Sequence, residues 1–273
     1  MSALARLRSL AYSVPFLRFF MSYANVSHLP FLFPDHFQSL QAETWSNLMK
    51  ALEDDDRDAC SVIRVEYHKC SNGKKHEFLA VHIHHRHSDH TAVLVVDRTP
   101  DSPSEVNNEQ LPSSGHVAHS FTKSSSHARA HDQVLVRGTR DSEAAWMRIF
   151  EPHKLMATLS FGNPPSLLEF AVLLIVVHQH ASFYDILQYQ CYWYCDTIWR
   201  VLERPKYDPR VVPSDSWDTR GKYGPLSVGS DSLERIEREF SEAMAAAQAN
   251  LQEKREQAEA RDRRVHTRFL MSE

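Results

Sequence analysis

The sequence is short of several things, and each shortage excludes something. It has 7 Gly in 273 residues and no GxGxxG or GxxxxGK[ST] string, so the glycine-rich loops that cradle phosphates are missing. It has 4 Cys and no CxxC, which is neither a disulfide framework nor a standard zinc pattern. It has no basic excess, with a formal net charge of -4 at pH 7, so nothing points to nucleic acid. It has no apolar run near the roughly 20 residues a membrane helix needs. What remains is 42% apolar and 24% charged, the balance of a globular protein that buries a sizeable core.

Residues 1–35 carry Arg6, Arg8 and Arg18 and no acid before Asp35. They read as a flexible or targeting-like extension, with a cytoplasmic location expected and a mitochondrial one as the alternative. Over 36–52, Phe37, Leu40, Trp45, Leu48, Met49 and Leu52 predict a helix, ended by Asp54, Asp55 and Asp56.

Three strands follow, at 61–67, 76–84 and 91–98. The middle one alternates strictly, with Glu77, Leu79, Val81 and Ile83 on one face and His76, Phe78, Ala80, His82 and His84 on the other. Short connections predict an antiparallel meander. Residues 99–132, rich in Ser and Pro, read as a disordered insert. A further short strand is predicted at 133–137 and a helix at 142–150.

Ser166 and Glu169 form a capping-box signature that opens a helix to about His180, and its body from Phe170 to Val177 is apolar all round. A second helix runs over 191–203, with Cys191, Cys195, Ile198 and Leu202 as its inward stripe. Pro205, Pro209 and Pro213 predict the end of the core at 207 and a linker over 208–230. Residues 231–273 form an amphipathic helix with Leu233, Ile236, Phe240, Met244, Ala247 and Leu251 on one side. The fold class is therefore α+β: a small antiparallel sheet packed against two core helices, with a long C-terminal helix.

The chemistry concentrates at Cys191. A cysteine in the first turn of a helix sits where backbone N–H groups and the helix dipole stabilise a thiolate. Such a nucleophile needs an imidazole partner. His76, at the open end of its strand, is the first choice; His82, on the same face, is the alternative base. Gln190, or Gln188, could add an amide donor to an oxyanion hole. On the opposite reading Cys191 is a small buried hydrophobe, Tyr192, Trp193 and Trp199 are core aromatics, and Asp97-Arg98 is an ion pair tying a strand end to a helix terminus. The run His82, His84, His85, His87 and His90 fits no standard metal spacing, and His85, His87 and His90 read as an exposed hairpin. No metal or cofactor is expected.

The order of a strand histidine followed by a cysteine at a helix start resembles the permuted NlpC-type cysteine hydrolases and the lecithin retinol acyltransferase family, over roughly residues 61–203. That resemblance implies a papain-like thiol hydrolase or acyltransferase. The strings His76-Glu77-Phe78-Leu79, Val96-Asp97-Arg98, Leu168-Glu169-Phe170-Ala171-Val172-Leu173-Leu174 and Gln190-Cys191-Tyr192-Trp193-Tyr194 also resemble an uncharacterised protein family of mushroom-forming fungi. The alternative function is a non-catalytic module that binds a protein partner, or a second copy, through residues 233–251.

Overall fold

The structure, a computed structural model, describes residues 29–71, 76–100, 128–141, 150, 152–185, 190–223, 226–227 and 233–270. Apolar residues at period two build its centre. Strands β2 (Cys60–Cys70), β3 (Glu77–His85) and β4 (His90–Pro100) form the expected antiparallel meander, with Leu79 opposite Val96 and His85 opposite His90. Strand β5 (Ala128–Val136) continues it, pairing Leu94 with Val136 and Arg98 with Asp132. Leu79, Val81 and Ile83 of β3 join Leu94 and Val96 of β4 in the main core, under the helices. Phe78, Ala80, Val93, Val95 and Leu135 form a second, smaller cluster on the other face. Both faces of the central strands are thus buried.

Four strands lie outside this meander. Residues 38–41, predicted as helix, are the short edge strand β1 (Gln38–Gln41), paired with β5; the helix, α1, begins only at Ala42 and ends at Ala51. Asp54–Asp58, predicted to end that helix, forms a second short one, α2, around the buried Arg57. Strand β6 (His153–Phe161), which no sequence signal announced, pairs with β2 across a bulge between Tyr67 and His68. Beyond it, the two-residue β7 (Phe183–Tyr184) pairs with the start of β5, and β8 (Pro209–Pro213) pairs with β6. Of the prolines that suggested a linker over 208–230, Pro209 and Pro213 sit on this edge strand, where a missing N–H costs nothing, and Pro205 opens a 3-10 turn. The sheet has eight antiparallel strands in the path β1-β5-β4-β3-β2-β6-β8, with β7 beside β5.

Helix α3 (Leu167–His180) opens with the predicted capping box: Glu169 N–H donates to Ser166 Oγ at 3.2 Å and Ser166 N–H to Glu169 Oε2 at 2.9 Å. It is apolar all round because α1, the sheet, and the last helix enclose it. Helix α4 (Cys191–Leu202) lies against β3 and β4 and buries more than its predicted stripe, Tyr192, Trp193, Tyr194, Trp199 and Val201 included. A two-stranded ribbon, β9 (Lys222–Tyr223) with β10 (Leu226–Ser227), precedes helix α5 (Leu233–Leu270). Its Leu233, Ile236 and Phe240 are buried in the main core, and Met244, Ala247 and Leu251 pack half-buried against it. The first turns of α5 are part of the core, not an appendage. Leu29, Leu32 and Phe33, expected in a peripheral extension, are buried too, and Trp45 Nε1 donates to the Phe31 carbonyl at 3.1 Å. The predicted insert is narrower than 99–132, since β4 reaches Pro100 and β5 starts at Ala128. Residues 1–28, 101–127 and 142–149 lie outside the described residues.

Candidate active site

Helix α4 starts without local help. Gln190 stands at its N-cap in extended conformation, makes no side-chain cap, and no acid follows in the first turn. Cys191 opens the helix at the end of the sheet where β3 begins and β4 ends. It is 5% exposed. Beside it stands His76, the residue that leads into β3, with a quarter of its side chain open to solvent. The His76 imidazole lies close enough to the Cys191 thiol for the two to act on each other electrostatically. Its Nε2 donates to Asp97 Oδ2 at 3.0 Å, which leaves Nδ1 as the ring nitrogen available to sulfur. Asp97 is buried near the end of β4. The chain of contacts is thus carboxylate, imidazole, thiol.

Burial opposes a charge on His76, but the charge of Cys191, the hydrogen bond to Asp97, and the Asp97 charge together hold its pKa well above the ordinary imidazole value. The imidazolium form is the one that accompanies a thiolate. Burial keeps the other three thiols protonated. Burial raises Cys60 to about 12, and raises Cys70 and Cys195 as well. Cys195, one turn further along α4, gives its S–H to the Glu77 carbonyl at 3.4 Å.

The strand β7 brings a further group. The Tyr184 hydroxyl oxygen accepts the backbone N–H of Cys191, and burial followed by the Cys191 charge raises its pKa. An N–H at a helix start, next to a nucleophilic sulfur, is where a developing oxyanion would be stabilised. In the resting protein the Tyr184 oxygen occupies that N–H.

The remaining sequence candidates go elsewhere. His82 is about 20 Å further along β3, at roughly 3.3 Å per residue. It contacts the Arg64 guanidinium at 3.2 Å and lies 3.5 Å from Glu66. The structure does not bring it to Cys191. In the hairpin, His87 and His90 are exposed as expected, but His85 is buried, bonded to Ser88 Oγ at 2.8 Å with Phe33 edge-on. Among the described residues no group of three or more His, Cys, Asp or Glu could hold a metal ion. Asp97 and Arg98 do not form one ion pair: they point to opposite faces of β4, Asp97 to His76 and Arg98 to Asp132. Asp97 and Tyr184 were missed as site residues. The available signal for Asp97 was an acid closing a β-branched run, Thr91 to Val96, whose neighbours are buried on both faces.

No family model, curated protein or solved structure matches the chain. Among the described residues no helix is long and apolar enough to cross a membrane.

Proposed function

We propose that the protein is a thiol hydrolase or acyltransferase of papain-like plan, acting on an amide or ester. The observation that carries this reading is the contact chain Asp97, His76, Cys191 at an uncapped helix start. In the first step His76 takes the Cys191 proton and the sulfur attacks the substrate carbonyl carbon. The Cys191 N–H, released from Tyr184, holds the resulting oxyanion, with the Gln190 amide as a further donor. His76 then protonates the departing amine or alkoxide, the C–N or C–O bond breaks, and a thioester remains. Water or another acceptor, deprotonated by His76, attacks that thioester and releases the thiol. Asp97 keeps the imidazole oriented through Nε2.

Membership of the mushroom-fungus family belongs to the same proposal, because three of the four resembling strings hold His76, Asp97 and Cys191. A cytoplasmic location does too: four free thiols suit a reducing compartment. The interaction-module alternative draws less support, since the apolar side of 233–251 that it needs lies against the chain's own core.

The test is acylation of the full-length protein by p-nitrophenyl acetate, read by peptide mass spectrometry. A burst of nitrophenolate with an acetyl group on Cys191, abolished by Cys191→Ala, is expected. No adduct on Cys191, or one that forms equally well in His76→Ala, would sink the reading.

A further inference from the structure

The Arg98 guanidinium is fully buried and bound in a bidentate pair to Asp132, Nε to Oδ1 at 2.5 Å and Nη2 to Oδ2 at 2.6 Å. His178, near the end of α3, donates from Nδ1 to the same Asp132 Oδ2 at 2.8 Å. Nothing among the described residues accepts from Arg98 Nη1. What the cation does meet is the first turn of α4: its central carbon lies 5.1 Å from the Trp193 ring centre and 4.8 Å from that of Tyr194. It also stands near enough to Tyr184 to act on its charge.

A buried cation at the start of a helix opposes the helix dipole, so it is not there to favour the helix electrostatically. It is, however, the group on which two rings of an otherwise uncapped first turn rest. Its sequence neighbour Asp97 points to the other face of β4 and holds His76. One strand end thus supports both halves of the pair, the base through Asp97 and the nucleophile's helix through Arg98.

We propose that Arg98, held by Asp132 and His178, is a positioning residue that places Cys191 against His76. This rests on the thiol reading above. Removing Arg98 alone would strand a buried Asp132 charge, so the informative variant replaces both, Arg98→Met with Asp132→Leu, which keeps the volume and removes the pair. The rate of Cys191 alkylation by iodoacetamide is followed across pH in the full chain, with circular dichroism and a cooperative thermal transition as the gauge of folding. In the folded double variant, Cys191 alkylation should fall about 10-fold or more, and its pH profile should approach that of a free cysteine. Cys70 alkylation should not change. Arg98→Lys, which keeps the charge but loses the flat face, should lie between. Trp193→Leu removes one ring without touching a charge and should slow Cys191 several-fold; it decides the matter if the charge variants fail to fold. Wild-type rates and profiles in the folded variants would overturn the proposal. If wild-type Cys191 reacts no faster than Cys60, Cys70 and Cys195, and ignores His76→Ala, the thiol reading itself falls and takes this inference with it.

Discussion

Strand β3 ends in histidines on both sides. At its far end His82, His84 and His85 run into the hairpin that also holds His87 and His90; at its near end stands His76, with His68 and His153 packed on Phe78 close by. The crowded end holds more titratable groups. In the structure its imidazoles serve local jobs: His82 contacts Arg64 and Glu66, His85 ties the turn through Ser88, and His90 reaches the Ser88 carbonyl at 2.7 Å. His76 instead lies between a buried carboxylate and a thiol. The number of titratable groups says little about reactivity; the partners each one meets, and how far water is removed from them, decide it.

The largest effect that would sharpen this contrast concerns the near end's foundation. Glu77, next to His76, is fully buried and accepts from Lys69 Nζ at 2.7 Å and from Tyr67 Oη at 2.5 Å. Lys69 Nζ also donates to the carbonyls of Thr219 and Lys222, pinning the segment before α5. Glu77→Ala leaves a buried ammonium unpaired and should cost about 3–5 kcal/mol in urea unfolding. A loss below about 1 kcal/mol would mean that this end is as adaptable as the exposed hairpin.

Next in size is the reactivity of Cys191. His76→Ala should slow its alkylation by iodoacetamide about 100-fold, whereas His82→Ala should leave it within about 2-fold. Equal slowing by the two replacements would erase the distinction between the ends.

His76 and Glu66 should also respond oppositely to pH. His76 is raised above its ordinary value of about 6.5. Its contribution to stability is fully present below that pH and is lost as pH climbs through the raised value. Glu66, opposite Ala80 in the middle of β3, is desolvated, yet hydrogen bonds from His68 and His82 and the charges of His82 and Arg64 hold its carboxyl well below the usual range. Its contribution is present above about pH 4.3 and is lost as pH falls through the lowered value. Thermal midpoints of His76→Gln should therefore differ most from wild type in mild acid and converge in alkali. Those of Glu66→Gln should differ near neutrality and converge in strong acid. Parallel curves would refute the assignment of either group. The smallest effect belongs to His87→Ala on the exposed turn, within about 0.5 kcal/mol of wild type by the same measurement.

Much of the scaffold could be read from local pattern. The meander followed from strict alternation in 76–84 and short connections, helix α3 from its capping box and uniform apolarity, and α4 from its spacing. Cys191 and His76 were legible as candidates because a helix start and a strand end are local features. Strand β6 was not, since Leu155 is exposed and Met156 and Ala157 are both buried, so period two is broken. Nor was β8, whose two prolines signal a break unless the strand is already known to be an edge.

The sequence by itself determined the meander strands and helices α3 and α4, because alternation, capping and chain-stopping residues act within a few positions. It also determined the chemical types available at the two ends of β3. Only the tertiary structure decided which of them meet. Whether Asp97 faces His76 or the helices depends on the face that odd positions of β4 present, and a slip of one residue in that strand would exchange Asp97 with Arg98. Whether Cys191 arrives beside them depends on how α4 seats across β3 and β4, with Arg98 under Trp193 and Tyr194. Such contacts join residues far apart in the chain, and their energy comes from burial and pairing that no local window contains.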